Sequence, residues 1–132
     1  MDAHDQNRYD QLCEALLGAH NMITALLQSL PSPAPLHFER KRPGEEVTEE
    51  ELLALNDVRT WVLDRLLIPD EPRELLKKAI LELLRLHDAN ELIARAGASP
   101  WALDGLEIGL ADTAALVKMA CGKLGVSLDT SA

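Results

Sequence analysis

The chain has 132 residues, 13 of them Lys or Arg and 22 of them Asp or Glu, and its net charge is −9. Such a length accommodates one compact domain, and the acidic balance argues against a general nucleic-acid coat or an anionic membrane surface as the binding partner. The sequence contains 26 leucines against five valines and five isoleucines, and aromatic residues make up 3% of it. Because leucine favours helices and β-branched or aromatic residues favour strands, this composition excludes a β-sandwich or barrel and predicts an all-α fold.

The first predicted element is an amphipathic helix over residues 1–30, which ends at Pro31. Apolar residues recur there at spacings of three and four, which makes one long stripe. A stripe that a linker separates from the other helices needs cover, and this predicts a homodimer. The residues expected to form the dimer helix are Leu12, Leu16, Ile23 and Leu27.

A Pro-rich linker is predicted over residues 31–47, exposed to solvent and partly mobile. It begins Pro-Ser-Pro-Ala-Pro and contains the dense basic run Arg40-Lys41-Arg42. If the protein contacts nucleic acid at all, this run is the expected phosphate contact.

A helical bundle is predicted over residues 48–132. Thr48 and Glu51 have the spacing of a capping box, which begins a helix that continues to about Leu67. A third helix begins at Asp70 with Pro72 in its first turn, and it is expected to break at His87-Asp88. Gly97 then stops a short helix, and Ser99-Pro100 begins the next one, so residues 88–109 have a helix-turn-helix outline.

This C-terminal part resembles the Cro/repressor family of helix-turn-helix proteins over about residues 72–128. The resemblance is carried by Leu92-Ile93-Ala94-Arg95-Ala96-Gly97-Ala98-Ser99, then Leu103, Leu106, Glu107 and Gly109, and by the closing Leu124-Gly125-Val126-Ser127. It implies a DNA-binding helix that begins at Ser99. However, the exposed candidates on that helix are Pro100, Trp101, Ala102, Asp104 and Gly105, none of which is Lys, Arg, Asn or Gln. These residues suit a protein partner better than DNA, and Pro100, Trp101, Asp104 and Gly105 are the predicted partner-binding residues.

Groups with catalytic potential are sparse and scattered. His20 and His87 are each expected to be core or interface histidines, and Cys13 and Cys121 lie on apolar stripes where inert thiols belong. Glu46 and Glu49, like Glu71 and Glu74, have the Glu-x-x-Glu spacing of all-α hydrolases of phosphorylated molecules, but both pairs lie at helix N-termini, where acids are common. We therefore expect no catalytic residue, no metal and no cofactor.

The sequence predicts a non-catalytic regulatory or adaptor protein that binds another protein in a bacterial or phage cytoplasm. Two alternatives stay open: a sequence-specific DNA-binding regulator of the Cro/repressor type, and a metal-dependent all-α hydrolase. Trp101 is the residue on which the prediction of a protein-binding function depends most. It lies two residues before the buried Leu103 and therefore faces away from the core.

Overall fold

A computed structural model describes residues 2–31 and 36–128, and it confirms the all-α fold. The four helices are α1 (Ala3–Ser29), α2 (Glu49–Asp57), α3 (Asp70–Ala96) and α4 (Pro100–Leu124). A π-helical turn (Val58–Val62) and a 3-10 turn (Leu63–Arg65) follow α2. None of the described helices is long and apolar enough to cross a membrane.

The predicted capping box at the start of α2 is confirmed. The hydroxyl of Thr48 accepts a hydrogen bond from the backbone N–H of Glu51 at 3.2 Å, and Oε1 of Glu51 accepts one from the backbone N–H of Thr48 at 3.0 Å. These two bonds satisfy donors that a helix N-terminus otherwise leaves free, and they place the first turn of α2.

The end of α2 differs from the prediction because of the π-helical turn. This turn contains one more residue than an α-helical turn, so it shifts the buried stripe by one position. Leu63 is consequently fully buried, whereas Val62 is partly exposed. The guanidinium of Arg73 donates hydrogen bonds to the carbonyls of Leu63, Leu66 and Ile68 at 2.8 to 3.0 Å, which secures the connection to α3.

Helix α1 is part of the bundle and does not stand apart from it. It packs against both α3 and α4, and its apolar stripe is covered within the single chain. The four residues predicted to form a dimer helix are core residues: Leu12, Leu16, Ile23 and Leu27 are 9%, 2%, 0% and 0% exposed. The reason for predicting a dimer helix is therefore removed, because α3 and α4 supply the cover that a second copy was expected to provide.

The described part of the linker, residues 36–47, lies along α1, and we call it the strap. Nδ2 of Asn21 donates to the carbonyl of Lys41, and Oδ1 of Asn21 accepts from the backbone N–H of Lys41, each at 2.8 Å. The side chain of Gln28 donates to the carbonyl of Phe38. Leu36 and Phe38 pack against the core. This part is largely exposed, as predicted, although its contacts with α1 leave Leu36, Phe38 and Lys41 only partly exposed. Residues 32–35 of the Pro-rich run lie outside the described residues.

Helices α3 and α4 form a long antiparallel hairpin that is joined at residues 97–99. Gly97 ends α3 with φ +85°, as its glycine predicted, and Ser99 caps α4 by accepting a hydrogen bond from Ala102 at 3.3 Å. The predicted break at His87-Asp88 is absent, since α3 continues through these residues, and α4 continues past Gly109. Residues 88–109 consequently join two helices of 27 and 25 residues.

Candidate functional site: the outer face of the hairpin

Large apolar side chains are exposed on the first half of α4. Trp101, Gly105 and Ile108 follow one another at spacings of four and three residues, so they share one side of α4. Trp101 is 77% exposed and Ile108 is 63% exposed. Two large apolar side chains are therefore in water on one helix, at the end nearest the turn.

Leu92 of α3 extends this surface across the hairpin. It is 66% exposed and lies five residues before Gly97, while Trp101 lies four residues after it, so the two are at similar heights. Leu92 follows His87 by five residues, which is roughly 140° around α3, so it faces away from the side on which His87 contacts α1. We call Leu92, Trp101, Gly105 and Ile108 the outer face.

The first turn of α4 presents Trp101 rigidly. Pro100 occupies the first position of the helix, where its missing N–H leaves no bond unmade, and the Ser99 cap fixes the turn. An indole on such a turn has few conformations to lose on binding. This is the property that makes aromatic residues effective interface anchors.

Asp104, which was predicted to bind a partner, already has a partner within the chain. Nη2 of Arg8 on α1 lies 2.7 Å from Oδ1 of Asp104 and 2.6 Å from Oε2 of Glu107. These two hydrogen bonds raise the pKa of Arg8. Asp104 therefore ties α1 to α4 beside the outer face, while 62% of its side chain stays exposed.

The basic run does not form a mobile arm. Nζ of Lys41 lies 2.6 Å from Oε1 of Glu51, and only 11% of the Lys41 side chain is exposed. Arg40 and Arg42 are exposed. The prediction that all three side chains are solvated was wrong for Lys41, because the strap turns its ammonium towards α2.

A groove of about 990 Å³ lies between α1, α2, α3 and residues 44–47, and we call it the acid-lined groove. Its described lining residues include no Lys or Arg. They include seven carboxylates: Asp10, Glu14, Glu45, Glu46, Glu49, Asp88 and Glu91. Glu46 and Glu49 thus share a groove, whereas Glu71 and Glu74 pair with Lys123 and Lys77. Among the described residues, no three His, Cys, Asp or Glu side chains are arranged to hold a metal ion.

Two histidines meet at this groove, where His20 is buried and His87 is one of the lining residues. The rings of His20 on α1 and His87 on α3 contact edge to face, with centroids 5.8 Å apart. Nδ1 of His20 and Nε2 of His87 are buried without a hydrogen-bond partner. Burial lowers the pKa of His87 to about 4, and the neighbouring His20 lowers it further in the same direction. Burial also lowers the pKa of His20, so both rings are neutral at pH 7.

Neither thiol is activated as a nucleophile. The thiol of Cys13 donates to Oδ1 of Asn90 at 3.6 Å, and burial raises the pKa of Cys13. Burial also raises the pKa of Cys121. Both cysteines are therefore thiols at pH 7, which agrees with the packing role predicted from their apolar stripes.

The sequence interpretation singled out Trp101 and missed other exposed apolar residues, including Leu92 and Ile108 of the outer face. Trp61 is 64% exposed in the π-helical turn, and Leu67 is 95% exposed after it. The signal for Trp61 was available, because that residue lies outside the apolar stripe of its helix.

Comparison of the chain with protein-family models, with curated proteins and with solved structures finds no match. The resemblance to the Cro/repressor family therefore stays a prediction.

Proposed function

We propose that this protein is a non-catalytic regulatory or adaptor protein that binds another protein through the outer face of its α3–α4 hairpin. The observation that carries the proposal is the exposure of Trp101, at 77%, beside Ile108 and Leu92. Scattered exposed leucines are ordinary on a soluble protein, but clustered large apolar residues are typical of interaction sites.

The charge of the surroundings supports a protein partner over DNA. The first half of α4 carries Asp104 and Glu107 and no Lys or Arg. A helix that binds in the major groove needs donors to phosphates and base edges, and the exposed residues of α4 near Trp101 supply none. No observation of the described residues favours the metal-dependent hydrolase.

A pull-down from the organism that encodes the protein tests this proposal. Wild-type protein and the Trp61→Ala variant should capture the same protein, and Trp101→Ala should lose it. Trp61→Ala is the matched control because it removes the other exposed tryptophan. Equal capture by Trp101→Ala would contradict the proposal, and a salt-sensitive gel shift would favour the DNA-binding alternative.

The homodimer stays a prediction, now without its original reason. A second copy is one candidate occupant of the outer face, and sedimentation at micromolar concentration measures it. A dimer that the Trp101→Ala variant dissociates would identify the second copy as the partner.

A further inference from the structure

A second groove, of about 550 Å³, lies between α1 and α4, and we call it the α1–α4 groove. The strap contributes Phe38 and Arg40 to its wall, and Leu128 lines it after the end of α4. Its volume is within the range of small-molecule sites, which is roughly 300–1,000 Å³. It shares no residue with the outer face.

The groove is open because α1 and α4 carry small residues at positions where packed helices usually carry large side chains. Ala15, Gly18 and Ala25 of α1 and Ala114 of α4 line it and are exposed. A Cβ atom at Gly18 would meet nothing within 4 Å. Larger apolar side chains complete the lining: Met22, Phe38, Leu110, Val117 and Leu128.

The wall of the groove is held in place before any ligand arrives. The two hydrogen bonds between Asn21 and the backbone of Lys41 fix the strap on one side of Arg40, and the bond from Gln28 to the carbonyl of Phe38 fixes it on the other. A wall that needs no ordering on binding retains affinity that a mobile segment would lose.

The charge of the groove is opposite to the charge of the chain. Of its 15 described lining residues, Arg40 is the only charged one, although the whole sequence contains 22 acids. An elongated apolar floor with one exposed guanidinium at its side matches a molecule with an apolar chain and an anionic head. Arg binds such a head with paired, charge-assisted hydrogen bonds.

We propose that the α1–α4 groove binds a free long-chain carboxylate, with its hydrocarbon chain along the Ala and Gly floor and its carboxylate at Arg40. The groove is independent of the outer face. If the groove bound no carboxylate, the proposed protein-binding function would still stand, and if the outer face bound no protein, the carboxylate site would still stand.

Titration of the whole protein with hexadecanoate tests this site. Binding is measured as the displacement of a fluorescent anilinonaphthalene sulfonate probe. Wild-type protein should bind hexadecanoate saturably. Arg40→Gln should weaken that binding by about 10-fold or more, the usual size of a lost charge-assisted bond, and leave hexadecanol binding unchanged. Arg42→Gln is the matched control, because Arg42 is exposed in the same run and does not line the groove.

Filling the groove provides the second arm. Ala114→Trp should abolish the binding of both hexadecanoate and hexadecanol, whereas Ala111→Trp, on the same helix and outside the groove, should not. Gly18→Leu fills the groove from α1 into open space, and it repeats the test if Ala114→Trp lowers the melting temperature. The proposal would be overturned if hexadecanoate showed no saturable binding, or if its binding survived both filling variants. It would also be overturned if Arg40→Gln left the binding unchanged, or if the protein bound only to phospholipid vesicles.

Discussion

Gly109 of α4 packs directly against Leu86 of α3. A Cβ atom built at Gly109 lies 3.3 Å from Cγ of Leu86 and closer still to its Cδ2. Leu86 is itself buried, so it has little room to move. The absence of a side chain at Gly109 is what allows the two helices of the hairpin to approach at this height.

Gly109→Ala should therefore destabilise the protein. Overpacking a core contact costs about 1–3 kcal/mol, and the better helix propensity of Ala returns at most about 1 kcal/mol. Gly105→Ala is the matched control, because a Cβ there meets nothing within 4 Å. It should raise the free energy of unfolding by about 0.5–1 kcal/mol. Denaturant unfolding measures both, and a stabilised Gly109→Ala variant would show that the hairpin packs differently.

The second prediction separates a core role of α1 from a dimer role. Leu16 is 2% exposed within the single chain, so Leu16→Ala should lower the free energy of unfolding by about 2–5 kcal/mol at any protein concentration. Leu53→Ala makes the same change at a leucine that is 57% exposed and should have an effect within about 0.5 kcal/mol. If Leu16→Ala instead halved the mass in solution with little loss of stability, α1 would be a dimer helix after all.

The third prediction concerns pH. The pKa of His87 is about 4 in the folded protein, against 6.5 for an unperturbed histidine, because burial disfavours its charged form. The unfolded chain therefore binds a proton between these values that the folded protein does not, and stability is lost as pH falls below about 6.5. From pH 7.5 to pH 5.0 the loss from His87 should be about 2 kcal/mol, and His20 adds to it.

His87→Gln removes this titration and should flatten the dependence of unfolding free energy on pH in that window. His37→Gln is the control, because it makes the same change at a histidine that is exposed on the strap. The same steep loss in both variants would place the sensitive group elsewhere.

Local patterns predicted the helices well, and tertiary contacts decided the rest. The capping box of Thr48 and Glu51, the Gly97 stop and the Ser99 cap are short-range features that the sequence displays directly. The break expected at Asp88 is absent: α3 continues there, and its Asn90 accepts a hydrogen bond from Cys13 of α1. Residues 88–91, Asp-Ala-Asn-Glu, have the residue pattern of a helix N-terminus. Packing of α3 against α1 overrides that local preference.

The candidate site was partly predictable for the same reason. The outward direction of Trp101 follows from its spacing to Leu103, and the structure shows it exposed. The ion pair of Asp104 with Arg8 joins residues 96 positions apart, and the strap bonds between Asn21 and Lys41 join residues 20 apart. Both depend on how α1 lies against the rest of the chain, which the apolar stripe of α1 alone did not specify.

The binding role of the outer face is tested most directly by the dissociation constant of the captured partner for wild-type and Trp101→Ala protein. Truncation of an exposed aromatic anchor commonly costs about 2 kcal/mol or more in binding, which is about 30-fold in the dissociation constant. Because Trp101 is 77% exposed, the melting temperature should stay the same within about 2 °C. We predict at least this 30-fold loss with an unchanged melting temperature, whereas an unchanged dissociation constant, or a variant that unfolds, would contradict the assignment of Trp101 as the anchor.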